Sequence, residues 1–545
     1  MKRFWKTIIL SMLLALTLCV GAQATENTML KVGLKYGSDA LFTARLQNYN
    51  DTLSGSGYEF GYYDANRSFV PLAATDEQRI TVTVDSNAYV SGGVCYETRP
   101  TNYSTILGAY HIELLTAFGS YEEALAVAQS YPKGFVAYID GEYRVRVGNH
   151  ASYDESARVL SETDVLAYGA QIVTPSSTGV VVSVTDTDTV LFEFDCSGLR
   201  SLGVRPRSVS GEKTVTWFSG YRYYGGFEYQ RTTGGYISVI NVLDIEDYVK
   251  CVIAAEMSND WPLEALKAQT VCARTYAASQ TRHRSAGFDV CSTTDCQAYR
   301  GAALSNERSD AAAEETRGVY LYYNGELVTN AVYYSCNGGA SESCKNVWGS
   351  EVPYLQGKLD PYEASVAWRF SRYYWSFTAT GDELREVLKS EANTDIGQVQ
   401  NVYVSEYSDT GNVIAITYEG TRGSYTARRE KCRTLLNGVY DHINVRSMRY
   451  TVAGGDASTY YVNDAQSSVT GTGGLYVIDG DGAVTPNNAG AKDTYVITSG
   501  GVQSLERKSA NTSNTFTFSG SGWGHNVGMS QWGAYAMAKE GRTAE

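Results

Sequence analysis

Apolar residues recur at helical spacing between Val242 and Tyr276, and this pattern predicts two consecutive helices. In the first helix, Val249, Val252 and Ile253 share one face with Glu256. An ionisable side chain in an apolar stripe needs a reason, because burying a charge without a partner is costly. Glu256 is therefore the first candidate for a functional residue.

Apolar neighbours are expected to raise the pKa of Glu256 and to keep its carboxyl group protonated near neutral pH. A general acid requires that state. The structural alternative is a glutamate at the helix surface, or one paired with Arg274. Pro262 is suited to the first turn of the second helix, in which Gln269 and Arg274 are conspicuous polar side chains.

Alternation of apolar and polar residues predicts short antiparallel strands on both sides of a different pattern at 106–173. That segment predicts a strand, a helix beginning after Ser120, two strands joined at Asp140-Gly141, and a second helix near Ser152. This order is typical of a small α/β module.

The fold class that follows is α+β and multi-domain, with a β-rich framework that carries the helix pair and a small α/β module. The predicted divisions are a leader at 1–24, an N-terminal β-rich segment at 25–105, the α/β module at 106–175 and a main region at 176–545, with a β-rich insertion or subdomain at 376–516.

The leader has a basic start, an apolar run and a small-residue cleavage site near Ala24, which are the features of a secretory signal peptide. No later stretch is long and apolar enough to predict a transmembrane span. We therefore expect a secreted protein. Of ten cysteines, Cys19 lies in the leader. The odd number that remains leaves at least one thiol outside any intrachain pairing.

A hydrophobic content of 43% with 19% charged residues is typical of a globular protein. The net charge of −14 argues against nucleic acid as the main partner.

Four sequence blocks carry a resemblance to a known family. The first is EDYVKCVIAAEM with WPLEALKAQTVCARTY, and it is followed in order by DVCSTTDCQAYRG, YYSCNGGASESCKNVWGSEVPYLQG and GSGWGHNVGMSQWGAYAMAKEG. Together they resemble the SpoIID/LytB family of sporulation peptidoglycan lytic transglycosylases and amidase enhancers. The resemblance extends over most of the chain after about residue 180 and implies that Glu256 is the catalytic acid.

The resemblance also implies a set of substrate-binding residues. Gln297 and Tyr299 are expected to face the substrate, and two glycines allow backbone to approach a ligand closely. The predicted set is Gln269, Arg274, Gln297, Tyr299, Gly338, Gly339, His525 and Gln531. The segment at 106–175, with YRVRVG at Tyr143, resembles a SPOR domain, which implies binding of glycan strands.

Cys291 and Cys296 are spaced for a zinc site, and some relatives place a histidine immediately before the second cysteine. This chain has Asp295 there, so His283 is the substitute nitrogen ligand and a disulfide is the alternative. Cys336 and Cys344 are a second predicted disulfide. The chemistry itself requires no cofactor, so zinc would be structural.

The function implied is an exported lytic transglycosylase that cleaves the MurNAc–GlcNAc bond of peptidoglycan and leaves a 1,6-anhydro end in the cell wall. One carboxylate suffices for this reaction, whereas ordinary glycosidases need two. A hydrolytic role for Asp244, Glu246 or Asp247 stays open, and so does a zinc-dependent hydrolase. The alternative function is a non-catalytic glycan-binding activator or recruiter of an N-acetylmuramoyl-L-alanine amidase.

Overall fold

The computed structural model describes residues 28–50, 53–92, 94–162, 169–208, 213–454 and 514–545, and six short strands between 459 and 504. The chain divides into two compact units, Met1–Glu256 with Gln280–Arg317 and Met257–Ser279 with Gly318–Glu545. The division therefore falls directly after Glu256. The predicted leader at 1–24 lies outside the described residues.

The first unit is rich in strands. They are β1 (Met29–Lys35), β2 (Thr43–Gln47), β3 (Tyr49–Asn50), β4 (Leu53–Tyr63), β5 (Phe69–Thr75), β6 (Arg79–Val84), β7 (Ala88–Ser91), β8 (Val94–Tyr96), β9 (Thr105–Leu107), β10 (Tyr110–Leu114), β11 (Gly134–Ile139), β12 (Glu142–His150), β13 (Ala170–Val173), β14 (Val180–Val184), β15 (Val190–Asp195), β16 (Leu202–Ser208), β17 (Thr216–Phe218), β18 (Tyr221–Tyr223), β19 (Gly226–Arg231), β20 (Ile237–Asp244) and β21 (Val290–Cys291).

The strands of the second unit are shorter on average. They are β22 (Tyr322–Tyr323), β23 (Glu326–Leu327), β24 (Tyr333–Tyr334), β25 (Tyr374–Thr380), β26 (Val399–Tyr407), β27 (Val413–Gly420), β28 (Gly423–Arg428), β29 (Tyr450–Gly454), β30 (Thr459–Val462), β31 (Ser467–Thr470), β32 (Tyr476–Ile478), β33 (Val484–Pro486), β34 (Tyr495–Thr498), β35 (Gly501–Ser504), β36 (Thr515–Ser521) and β37 (Met529–Ser530).

The described α-helices are distributed over both units. They are α1 (Tyr121–Ala128), α2 (Tyr153–Glu162), α3 (Ile245–Glu256), α4 (Leu263–Ser279), α5 (Glu307–Glu315), α6 (Cys344–Trp348), α7 (Gly381–Glu391), α8 (Lys431–Thr434) and α9 (Gln531–Lys539). Single 3-10 segments lie at Gly37–Asp39, Arg284–Ala286, Gly301–Ala303 and Glu363–Arg369. Among the described helices, none combines the length and apolar character needed to cross a lipid bilayer.

Two large sheets build the first unit. One has the order β21-β1-β20-β19-β16-β4-β3, with β5 added on β4, and the other has the order β13-β10-β12-β11-β15-β14-β6-β2-β17-β18. Strand β20 is buried at nearly every position and leads directly into α3, so the first large sheet fixes where α3 begins. The predicted α+β, multi-domain class is confirmed.

The segment at 106–175 has the predicted order of elements. Ser120 accepts a hydrogen bond from the Glu123 N–H at the start of α1, and Asp140-Gly141 joins β11 to β12. Its strands do not form a separate sheet, because β11 also pairs in parallel with β15, which lies outside the segment. The SPOR-like identity of this segment stays a prediction.

The second unit has its largest core between residues 375 and 518. Trp375, Leu384, Val399, Tyr418 and Phe518 are among the buried side chains, which come from α7 and the sheets β25-β36-β29 and β26-β27-β28. Thr380 begins α7 with a capping box to Glu383. Much of the predicted subdomain at 376–516 therefore has a hydrophobic core.

Candidate functional site

Glu256 is the last residue of α3. The apolar face predicted for this helix is present, since Val249, Val252 and Ile253 have no exposed surface. Glu256 itself is partly exposed, and its Oε1 accepts a hydrogen bond of 2.9 Å from the backbone N–H of Ala298. The carboxyl group is thus held at the helix end by the loop that follows β21.

That loop also contains Gln297 and Tyr299, and the structure corrects the expectation that these side chains are open to a substrate. They are only 1% and 3% exposed. The Tyr248 hydroxyl donates to Gln297 Oε1 at 3.0 Å, and the Tyr299 hydroxyl donates to Asn241 Oδ1 at 2.7 Å. Both side chains hold the loop against α3 and β20, which keeps the Ala298 N–H at Glu256.

The three acids that precede Glu256 lie at the opposite end of α3. Asp244 Oδ1 accepts from the Glu246 N–H at the helix start, and Asp247 forms an ion pair with Lys213. Ten residues at 1.5 Å each separate Glu246 from Glu256, which is about 15 Å along the axis. Two carboxyl groups that share one glycosidic bond are about 5 to 9.5 Å apart.

Cys291 and Cys296 lie in a cluster with His283 and Asp295. One ligand atom from each of the four residues lies within 4.8 Å of the others. The Cys296 side chain is the main cause that lowers the pKa of Cys291 to about 4. His283 Nε2 is buried without a hydrogen bond in the described structure, and Asp295 Oδ2 is 3.7 Å away and also pairs with Arg282. Two thiols, an imidazole and a carboxylate fit tetrahedral zinc.

No disulfide joins the cysteines of the described residues, so neither the alternative Cys291–Cys296 bond nor the Cys336–Cys344 bond is present. Cys336 packs with Ala367 and Tyr373, whereas Cys344 belongs to a separate apolar cluster. Burial raises the pKa of the thiols of Cys336 and Cys344, so these residues behave as small core residues.

In the second unit, α4 buries the polar residues that the sequence singles out. Gln269 and Arg274 have no exposed surface. The guanidinium of Arg274 donates to the Val319 carbonyl at 3.2 Å, and Gln531 Nε2 lies 3.5 Å from Gln269 Oε1. These side chains are part of the packing of this unit, and their predicted substrate-binding role stays a prediction.

Gly338 and Gly339 bring backbone N–H groups to protein acceptors. The N–H of Gly338 and that of Asn337 donate to the two oxygens of Glu363, each at 2.9 Å, and Ser530 Oγ donates to the same carboxyl group at 2.6 Å. Glu363 therefore occupies the Gly338 N–H, and the predicted approach of a ligand to Gly338 and Gly339 stays a prediction. Burial raises the pKa of Glu363.

His525 packs between two aromatic rings, with centroid distances of 5.3 Å to Tyr334 and 5.0 Å to Trp348. Its Nδ1 accepts from the Val527 N–H at 3.1 Å. Burial lowers the pKa of His525 to about 4, so the ring is neutral at physiological pH. Its contacts are those of a structural residue of this turn.

A cavity of about 390 Å³ in the second unit was not predicted from the sequence. Its lining includes Tyr334, Asn337, Asp360, Met529 and Ser530. Asn337 donates to Asp360 Oδ2 at 2.6 Å. An aromatic ring with a few convergent polar groups is typical of a site for a small polar ligand. Asp360 and Glu363 carry no local sequence signal, because neither lies in a periodic pattern.

Residues 233–323 match the SpoIID family, described as stage II sporulation protein. The amidase enhancer of Bacillus subtilis (strain 168) is 31% identical over 300 residues, which are 54% of this chain and 38% of that protein. An uncharacterized protein of Brachyspira hyodysenteriae is 38% identical over 183 residues, 32% of this chain and 49% of that protein.

The stage II sporulation protein D of Bacillus subtilis (strain 168) is 24% identical over 327 residues, which are 56% of this chain and 72% of that protein. The chain spans less than half the length of the amidase enhancer and of the Brachyspira protein. The matched region begins shortly before β20 and contains β20, α3, α4 and the cysteine loop. Through this segment the chain is similar to the SpoIID family and to its amidase enhancer and stage II sporulation protein D relatives.

Proposed function

We propose that this protein is an exported peptidoglycan lytic transglycosylase in cell-wall remodelling, with Glu256 as its acid. The names of its relatives, an amidase enhancer and a stage II sporulation protein D, support a role at the cell wall. The reaction is proposed from the position of one carboxyl group.

The observation that carries the proposal is that Glu256 lies at the opposite end of α3 from Asp244, Glu246 and Asp247. The acids of the first turn lie about 15 Å away along the helix, too far to activate a water at the same glycosidic bond. Glu256 is partly exposed and anchored through Oε1 by the Ala298 N–H. A single anchored carboxyl group suits a reaction in which one residue acts first as acid and then as base.

In the proposed reaction, protonated Glu256 donates its proton to the glycosidic oxygen as the bond from muramic acid C1 breaks. The resulting carboxylate accepts the proton of the muramyl 6-hydroxyl. That oxygen attacks C1 and forms the 1,6-anhydro ring. The proton returns to Glu256, so no water is consumed and the enzyme is restored.

The test uses glycan strands stripped of their peptides, purified protein and two variants. Glu256→Gln removes the proton donor, and Asp260→Asn removes an exposed carboxylate four residues later as a matched control. We expect anhydro-muramic ends from the wild type and from Asp260→Asn, and none from Glu256→Gln. Reducing ends without anhydro ends would overturn the transglycosylase in favour of a hydrolase.

A second function is favoured by the similarity to an amidase enhancer over 54% of the chain. In this case the protein binds glycan strands and recruits or activates an N-acetylmuramoyl-L-alanine amidase. Purified amidase would then release peptides from cell walls faster with either the wild type or Glu256→Gln. Equal stimulation by both proteins, without anhydro ends from either, would select this function.

We further propose that His283, Cys291, Asp295 and Cys296 hold a structural zinc ion. Zinc would fix the loop that leads into Ala298, whose N–H anchors Glu256. Elemental analysis should find zinc in the wild type and less of it in a Cys291→Ser, Cys296→Ser double variant. Unfolding temperature gives a readout independent of activity, and chelation should lower it more in the wild type than in the double variant.

A further inference from the structure

A second cluster of potential metal ligands lies in the first unit, far in sequence from the SpoIID domain. Asp85 follows β6, His111 lies on β10 and Glu193 lies on β15. One ligand atom of each residue lies within 4.8 Å of the others, and His111 Nε2 is 3.9 Å from Glu193 Oε2. The three residues are 3%, 1% and 0% exposed. Three strands thus deliver titratable side chains to one buried point.

The atoms that face this point have no hydrogen-bond partner within the described residues. They are Asp85 Oδ1, His111 Nε2 and Glu193 Oε2. A buried polar atom left without a partner costs about 1 to 3 kcal/mol, more if it is charged. Three such atoms in one place favour the binding of a ligand at this point.

The other polar atom of each side chain is occupied, and this fixes the orientation. His111 Nδ1 donates to the Gly148 carbonyl at 2.7 Å, so the Nε2 lone pair faces the cluster. Asp85 Oδ2 accepts from the Ser176 N–H at 2.6 Å, and Glu193 Oε1 accepts from Arg146 at 2.5 Å. Such outer contacts commonly hold metal ligands in place.

The net negative charge around the cluster favours a divalent cation. Arg146 also binds Glu113 through its Nε at 2.9 Å and its Nη2 at 2.8 Å, so these two residues neutralise each other. Asp85 and Glu193 then contribute two negative charges beside a neutral imidazole.

We propose that Asp85, His111 and Glu193 bind a divalent transition-metal ion, with zinc as the preferred ion. One imidazole nitrogen and two carboxylate oxygens are ordinary zinc ligands, with bonds of about 2.0 to 2.2 Å. Bonds of that length place tetrahedral donors about 3.3 Å apart, so the side chains need only a small approach. The ion ties β10 of the predicted SPOR-like segment to β6 and β15, which lie outside that segment.

The test must separate this site from the cysteine cluster. In a Cys291→Ser, Cys296→Ser background, the full chain is freed of metal with a chelator, dialysed against zinc and analysed for bound metal. Asp85→Asn and His111→Gln each remove one ligand, and His150→Gln is the control from the end of β12. We expect about one equivalent of zinc in the background protein and in the control, and its loss in both ligand variants.

Thermal unfolding of the same background protein keeps the proposal testable if a ligand variant does not fold. Zinc should raise its midpoint after chelation, by an amount that grows with the free zinc concentration. Equal zinc content with and without the ligand substitutions would overturn the proposal. An unchanged midpoint with zinc, cobalt and manganese would also overturn it, and would indicate that a proton neutralises the cluster.

Discussion

Helices α3 and α4 are neighbours in sequence but differ in the position and burial of their polar side chains. Helix α3 has its acids at the two ends, and its middle is apolar except for Tyr248 and Lys250. Helix α4 instead buries Gln269, Thr270, Arg274 and Thr275 completely. Thr270 and Thr275 donate to carbonyls one turn earlier, each at 2.7 Å. The acid at the C-terminal end of α3 is thus partly exposed, whereas the polar residues within α4 are buried.

The sharpest test of this difference is Glu256→Gln. We expect at least a 100-fold loss of anhydro-end formation, because general acid catalysis supplies roughly 10²- to 10⁴-fold. The free energy of unfolding should change by less than about 1 kcal/mol, since the amide oxygen can still accept from the Ala298 N–H. Product analysis and urea unfolding of the same preparation provide both values. If Glu256→Gln were strongly destabilised, Glu256 would have a structural role like that of the buried polar residues of α4.

Arg274→Met should have a large effect on stability, in contrast to Glu256→Gln. The guanidinium is fully buried and donates to the Val319 carbonyl. Methionine fills similar space but leaves buried acceptors without a donor. We therefore expect the free energy of unfolding to fall by about 4 kcal/mol. Urea unfolding measures this change. Wild-type stability together with lost glycan binding would instead make Arg274 a substrate-binding residue.

Gly338 extends the comparison to a residue that the motif suggests for ligand binding. Its φ is 72°, and a Cβ there would lie 2.3 Å from the Ser521 carbonyl oxygen. We expect Gly338→Ala to cost about 3 kcal/mol, of which the positive φ accounts for about 1. Gly325→Ala is the control, because its φ is 85° and no atom lies within 4 Å of the added Cβ. Equal costs in thermal unfolding would exclude the collision with Ser521.

The smallest expected effect concerns His525 and pH. Because burial lowers its pKa to about 4, the unfolded chain binds the proton more readily. The contribution to stability is present above pH 6.5 and is lost as pH falls toward 4. Between pH 7 and pH 5 the loss is about 2 kcal/mol. In His525→Asn, which keeps an acceptor for the Val527 N–H, the fall in stability over this range should be smaller by that amount.

Local sequence patterns predicted much of the fold, because helices, turns and caps depend on residues that are neighbours in the chain. The helix pair, the order of elements at 106–175 and the cap at Ser120 all follow from periodicity and turn chemistry. The accessibility of Gln297 and Tyr299 did not follow, since it depends on Tyr248 and Asn241, which are about 50 residues away. Glu363 was missed for the same reason.

The two candidate metal clusters show which kind of site the sequence predicts and which kind it does not. Cys291, Asp295 and Cys296 are within six residues of each other, so the sequence alone determined that they could share an ion. Asp85, His111 and Glu193 are spread over more than a hundred residues, and only the pairing of β-strands brings them together. The sequence determined the helices, the fold class and the family, because these depend on local periodicity and motifs. The tertiary structure decided which polar groups are buried and which meet, because long-range packing alone sets those distances.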